Sequence, residues 1–150
     1  MPHFTLQVTP GGGPILNGYI GVSQAKRGAL LAANQAIPNL VQIRGLVDAG
    51  ASGTCVDPSV LTALGLIPTG SVTVNTPSTG AQPHTADQYD VSLMIPGAIP
   101  THAALIINNL PVMCAELLVA QGFHALIGRD ILAHCLFAYN GTTNLFTLAY

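Results

Sequence analysis

One acid in this chain is singled out by its neighbours. In Leu46-Val47-Asp48-Ala49-Gly50-Ala51-Ser52 an apolar run ends at Asp48, and small residues with a glycine follow at once. A carboxylate in that setting leaves a strand end on a tight, closely packed turn, where it either transfers protons or only caps the turn. On this segment alone the ordinary turn aspartate is the favoured reading. A second segment, Ala125-Leu126-Ile127-Gly128-Arg129-Asp130-Ile131-Leu132, shifts the balance because it supplies another apolar run that stops at a glycine and a charged pair. Other chemistries fit poorly. Ser52 lies in Gly50-Ala51-Ser52-Gly53-Thr54, which fails the Gly-x-Ser-x-Gly pattern of a serine hydrolase at position 54. No Gly-Lys-Ser/Thr follows Gly11-Gly12-Gly13, so a phosphate-binding loop is not supported. The histidines and cysteines show no His-x-x-x-His or Cys-x-x-Cys spacing, so neither a metal nor another cofactor is expected.

The elements that must position Asp48 are mostly strands. Turn signals recur at short intervals, carried by 16 glycines and 11 prolines, with short apolar or alternating runs between them. Phe4, Leu6 and Val8 alternate as a first strand. Ile15-Leu16 and Tyr19-Ile20 flank Asn17-Gly18, where a bend or tight turn is expected. Ser23 to Asn34 forms a short helix or an excursion between strands. Val41, Ile43 and Leu46-Val47 form the strand that delivers Asp48. Asp57-Pro58 starts a helix, with Val60, Leu61 and Leu64 on one face and Gly65 as its stop. Val72 to Asn75 is a strand with Tyr89 to Ile95 as its partner. Leu105 to Ile107 and Leu110 to Met113 are two further strands. Leu126 to Leu132 is a buried strand entering a short helix. Phe137 to Tyr139 and Leu145 to Tyr150 form a terminal hairpin around Asn140-Gly141. The expected class is mainly β, closed or sandwich-like, with one or two short helices, in a single domain over residues 1–150.

Composition bounds the function. Charged residues make up only 7% of the chain and apolar ones 49%, against about 25% charged in an average soluble domain. Four basic residues (Lys26, Arg27, Arg44, Arg129) against six acidic ones exclude a nucleic-acid binder that works through a basic face, and a polybasic membrane anchor. So few charges imply that some apolar surface is covered by self-association. No run is long and apolar enough for a transmembrane helix, and Met1-Pro2-His3-Phe4-Thr5 has no signal-peptide pattern. Three scattered cysteines, Cys55, Cys114 and Cys135, point to reduced thiols and a cytoplasmic location. Asn140-Gly141-Thr142 matches a glycosylation sequon, but the turn reading of Asn-Gly is preferred.

Taken in order, the two motifs resemble the retropepsin-like aspartic proteases, the single-lobed relatives of pepsin, and look closest to their bacterial members. That family carries apolar-apolar-Asp-Thr/Ser-Gly-Ala, then a flap hairpin, then apolar-apolar-Gly-Arg-Asp/Asn-apolar-Leu. The resemblance covers about Val41 to Leu136, and the C-terminal strand fits as well. It implies a closed acid-protease β-barrel with a flap, and half an active site per chain. Two protomers then meet with Asp48 facing Asp48. Two carboxylates about 3 Å apart share one proton. The charged one activates a water and the protonated one hydrogen-bonds the scissile carbonyl. The pair titrates together, so a bell-shaped pH profile follows. The resemblance assigns Asp48 as catalytic and Ala49, Gly50, Ala51 and Ser52 to the active-site loop. It maps Pro77, Ser78, Thr79, Gly80 and Ala81 to the flap over the substrate, and gives Gly128, Arg129 and Asp130 a supporting role. The partners implied are a second copy and a peptide or unfolded protein substrate, with no nucleic acid and no membrane.

The sequence departs from the family pattern in two places. Viral members often carry an Asp two residues after the motif glycine, where this chain has Ser52, so that ion pair does not carry over. The middle motif residue is Ala49 instead of Thr or Ser, so the hydroxyl that bonds across the two catalytic loops is missing. The implied consequence is a weaker dimer and reduced activity with the catalytic carboxylate retained. The leading reading is therefore a homodimeric aspartic endopeptidase. The alternative is a retropepsin-fold module that binds peptides or proteins and cuts weakly or not at all. Asp130 caps locally, pairs locally or meets Arg44. Asp57 is expected as a helix cap, Asp87, Asp90 and Glu116 as surface acids, and His124 and His134 as packing or surface histidines. The terminal strand Leu145 to Tyr150 is expected to offer an apolar, uncharged edge for the dimer.

Overall fold

The computed structural model describes residues 1–75, 82–116 and 119–150. Among these residues, ten strands and three short α-helices, with one 3-10 turn at Val119–Gln121, run in the order β1 (His3–Gln7), β2 (Ile15–Val22), α1 (Gln24–Ala32), β3 (Val41–Val47), β4 (Cys55–Val56), α2 (Pro58–Ala63), β5 (Gly70–Val74), β6 (His84–Ile95), β7 (Leu105–Cys114), β8 (Ala125–Ile127), α3 (Arg129–Leu132), β9 (Leu136–Asn140) and β10 (Leu145–Ala149). The larger sheet has the order β2-β3-β8-β4-β7-β6-β5, and an added β2–β6 pairing closes six of its strands into a barrel. Closure removes free edges from that part of the molecule. β5 stands outside the ring as an extension of β6. A separate three-stranded sheet has the order β1-β10-β9.

The barrel is filled by inward-facing residues that alternate along its strands: Leu16 and Ile20, Ile43 and Val47, Val91, Leu93 and Ile95, Leu110 and Val112, and Ala125 and Ile127. The inner face of the three-stranded sheet adds Phe4, Phe146 and Leu148 to the same apolar cluster. Phe137 packs on Phe146 with ring centroids 6.2 Å apart.

Local chemistry explains the helices. The Asp57 side chain accepts from the Ser59 N–H at 2.8 Å, Pro58 opens α2, and Gly65 leaves it at φ +63°. The Ser23 hydroxyl accepts from the Lys26 N–H, and Asn109 Oδ1 accepts from the Ala25 N–H, so the start of α1 is tied to β7. Ser23 to Asn34 is thus a helix followed by a turn, and none of the α1 residues is buried.

Several expected boundaries move. Asn17-Gly18 is not a turn, because β2 runs straight through it. A Cβ on Gly18 would lie 3.1 Å from the Met94 carbonyl oxygen, so the glycine serves a close approach of two backbones. Leu105 to Cys114 is one strand, and Asn108 and Asn109 lie at a bulge in it, between the Leu93–Ile107 and Val91–Leu110 pairs with β6. The partner of β5 is the first part of β6, with Val72 opposite Ala86 and Val74 opposite His84. Tyr89 to Ile95 pairs instead with β7, and its last part with β2. β10 is not a free edge: β1 takes one side and β9 the other. The final hairpin turns over residues 141–144, with Asn140 Oδ1 accepting from the Thr142 and Thr143 N–H groups and Asn144 at φ 53°.

Candidate active site

β8 lies between β3 and β4, parallel to the first and antiparallel to the second. The chain therefore leaves β3 at Val47, passes around the C-terminal end of β8, and returns as β4. Residues 48–54 form that crossing, and Gly128-Arg129-Asp130 lie directly beneath it. The two motifs, distant in sequence, are one local structure.

Three ties stitch them together. At the entry, the Asp48 N–H donates to the Ile127 carbonyl at 3.0 Å. In the middle, the Arg129 N–H donates to the Ala51 carbonyl at 3.0 Å. At the exit, the Thr54 N–H donates to Asp130 Oδ2 at 2.9 Å and the Thr54 hydroxyl donates to Asp130 Oδ1 at 2.8 Å. The same hydroxyl oxygen accepts from the Gly128 N–H at 3.1 Å. The Ile131 N–H gives Asp130 a further bond at 2.9 Å. The packing is equally close, since a Cβ on Gly128 would stand 2.5 Å from the Gly53 carbonyl carbon and oxygen.

Asp48 is half-buried at the mouth of this loop, and Ala49 and Gly50 beside it are exposed. Asp48 Oδ1 accepts from the Gly50 N–H at 2.8 Å, and a Cβ on Gly50 would sit 3.1 Å from that oxygen. The glycine makes room for the carboxylate and donates to it. One oxygen is thus oriented by the loop while the other has no bond within it. Such a carboxylate is positioned to work with a group outside the loop.

Among the expected site residues, Asp48, Ala49, Gly50, Ala51 and Ser52 share the crossing loop with Gly128, Arg129 and Asp130 against it. Arg129 is exposed and joins the loop through its backbone. Asp130 takes the Ile131 N–H as a local cap and also binds Thr54, 76 residues away in the chain, a pairing outside the alternatives of local capping, local pairing or Arg44. Pro77, Ser78, Thr79, Gly80 and Ala81 lie outside the described residues; they belong to the connection between β5 and β6.

Thr54 escaped sequence reasoning. It is only 1% exposed, yet a threonine after a glycine looks like any loop threonine, and only its burial beside Asp130 distinguishes it. His124, expected as a packing or surface histidine, also bonds the backbone: its Nδ1 accepts from the Arg44 N–H at 3.2 Å while its backbone N–H donates to the Arg44 carbonyl at 2.7 Å. These bonds extend the β3–β8 pairing past its end. Asp57 is a buried cap as expected, 4% exposed, and its N–H donates to the His124 carbonyl at 2.9 Å.

Cys55 begins β4 next to the loop. Burial, and then the charges of Asp130, Asp48 and Cys114, push its thiol above the ordinary value of 9.0. All three cysteines are free thiols. Among the described residues, no cluster of three or more His, Cys, Asp or Glu is arranged to hold a metal ion. No helix among them is long and apolar enough to cross a membrane. A groove lined by Tyr19, Arg27, Leu40, Met94 and Ile106 lies apart from the Asp48 loop.

No protein-family model matches the chain, and no curated protein matches it in sequence. Its structure is similar to that of a retropepsin-like aspartic protease from Rickettsia conorii, with a TM-score of 0.62 and 18% identity over 99% of this chain and 90% of that one. With the six-stranded closed barrel and the loop that crosses the end of β8, this similarity shows that the chain has a retropepsin-like fold.

Proposed function

We propose that this protein is an aspartic endopeptidase that works as a homodimer, with Asp48 of each protomer forming a shared dyad. The observation that carries the reading is the Asp48 carboxylate itself. It stands at the open end of a loop stitched to Gly128-Arg129-Asp130, and only one of its oxygens is bonded within the loop. The retropepsin-like fold is what joins that geometry to peptide hydrolysis.

In the proposed dimer the dyad holds one proton. The ionised Asp48 removes a proton from a water lying between the two carboxylates, and that water attacks the scissile carbonyl carbon. The protonated Asp48 hydrogen-bonds the carbonyl oxygen, and a proton then passes to the leaving amine as the bond breaks. The substrate is an extended peptide or unfolded segment that binds through its backbone, as an added strand does. The β5–β6 hairpin is assigned the flap role, covering the peptide and excluding water. Arg129 and Asp130 support the loop. The exposed methyl group of Ala49 replaces the hydroxyl that would tie two such loops together, so the dimer is weak and activity is modest.

A mixing experiment tests the shared site. Asp48→Asn protomer is titrated into a fixed amount of the unaltered protein during cleavage of an unfolded protein substrate. Mixed dimers hold only one Asp48, so activity falls more steeply than the addition of an inert protein produces. Activity that ignores the added Asp48→Asn chain would mean that each protomer works alone or not at all.

A further inference from the structure

The entry and middle ties of the Asp48 loop are backbone to backbone, so they depend little on side-chain identity. The exit tie is different. Thr54 is the residue whose side chain joins the loop to the Gly128–Asp130 segment, and it does so from a buried position. Its hydroxyl is used twice, as donor to Asp130 Oδ1 and as acceptor from the Gly128 N–H. Asp130 closes the arrangement by taking the Thr54 N–H on its other oxygen. No buried side-chain polar atom among the described residues lacks a partner, so removing the Thr54 hydroxyl leaves the Gly128 N–H without the acceptor it has here.

The contact beneath it leaves little slack. Gly128 packs on the Gly53 backbone closely enough to exclude any side chain. Gly53 precedes Thr54 and closes the loop that begins at Asp48. A shift at Thr54 is therefore passed along a short, tightly packed crossing to the carboxylate, with Ala51 held on the way by Arg129. Ala49 contributes no hydroxyl to a tie with any partner, so the fixing of this loop falls to bonds within the protomer.

We propose that Thr54 is a positioning residue for the dyad: its hydroxyl, shared between Asp130 and the Gly128 N–H, holds the Asp48 loop in working geometry from within a single protomer. The proposal rests on the reading of Asp48 as the catalytic carboxylate. Thr54 touches no substrate; it acts through the loop. Loss of the clamp lowers kcat more than it raises KM, because the peptide-binding surface stays while the reacting groups drift apart.

The test compares Thr54→Val, Thr54→Ser and Asp130→Asn with the unaltered protein, using Asp48→Asn as the blank. Valine keeps the shape and removes the hydroxyl; serine keeps the hydroxyl. The expected result is a fall in kcat of about ten- to a hundred-fold for Thr54→Val, the range that a misplacement near 1 Å produces, with KM nearly unchanged. Thr54→Ser restores most of the rate. Asp130→Asn falls between them, since an amide oxygen serves one of the two Thr54 donors and its NH₂ group confronts the other. If Thr54→Val does not fold, Asp130→Asn carries the comparison. A folded Thr54→Val with unaltered kcat, or a Thr54→Ser as poor as the valine variant, overturns the proposal. Amide exchange separates this proposal from the reading beneath it. Faster exchange at Arg129 and Thr54 in the valine variant but not in the serine variant supports the clamp even where no Asp48-dependent cleavage is found, in which case the protease reading falls alone. Unchanged exchange removes the clamp itself.

Discussion

The Asp48 carboxylate takes one bond from the Gly50 N–H, and the residue between them contributes only a methyl group. Ala49→Thr is expected to tighten self-association and raise the cleavage rate. A buried hydroxyl bond contributes on the order of 1 kcal/mol, and in the proposed dimer its loss from each of two facing loops is felt twice. Sedimentation at a series of concentrations reads the first effect; an unchanged association constant would mean that position 49 does not face a partner. A second residue-scale prediction concerns pH. Burial is the largest cause that raises the thiols of Cys55, Cys114 and Cys135 above 9.0 in the folded protein. Between 9.0 and those raised values the unfolded chain has lost protons that the folded chain still holds. Stability is therefore level below that window and falls as pH rises through it. Urea unfolding between about pH 7 and 10 checks this, and a flat midpoint contradicts it. Asp48 stood out in the sequence through the ordered pairing of its segment with Gly128-Arg129-Asp130 and the resemblance which that pair carries, since its own segment favours an ordinary turn aspartate. Thr54 did not, because its role depends on burial against Asp130, and nothing in a Gly-Thr pair reports burial.

At the scale of elements, capping and close packing decide the outcome. Asp57→Ala removes the cap of α2 and leaves the Ser59 N–H without its acceptor, at a cost of about 1–2 kcal/mol. Thermal unfolding reads that loss, and a variant as stable as the parent would assign the helix start to Pro58 alone. Gly128→Ala drives a Cβ into the Gly53 backbone, so it destabilises by about 1–3 kcal/mol and disturbs the Asp48 loop together with the fold. Helix signals were readable because Asp-Pro and a trailing Gly act locally. Strand limits were less so. Asn17-Gly18 has the composition of a turn, but the Met94 carbonyl on the neighbouring strand β6 leaves no room for a Cβ at Gly18, and a tertiary contact overrode the local signal. The Asn108-Asn109 pair looks like a break in β7, yet one of its side chains holds the start of α1.

At the scale of the molecule, closure of the barrel leaves the three-stranded sheet as a place where a second copy can add strands. β10 lies at its centre, with Phe146 and Leu148 fully buried, so deleting the C-terminal residues would unfold the protomer and say little about assembly. The free edges belong to β1 and β9. Neither carries a charged residue or a proline to deter pairing. A variant with Gln7→Lys and Ala138→Lys, both at exposed positions, is expected to fold normally and associate less. An unchanged dimer would move the interface elsewhere. The mainly β class was legible from turn spacing and strand length, which left closed and sandwich-like forms open; the closed barrel followed from the resemblance. The strand order was not legible, because β1 and β10 pair from opposite ends of the chain and no local signal records that pairing.

The claim that Asp48 performs peptide hydrolysis is tested most directly by cleavage. Concentrated protein is incubated with an unfolded protein substrate from about pH 3 to 7, the range in which coupled carboxylates titrate, and fragments are identified by mass spectrometry. The unaltered chain, Ala49→Thr and Asp48→Asn run side by side. The account predicts slow cutting by the first, faster cutting by the second and none by the third. Cutting that survives Asp48→Asn, or no cutting by chains shown to be folded dimers, would contradict it, and the second outcome would leave a peptide-binding module in its place.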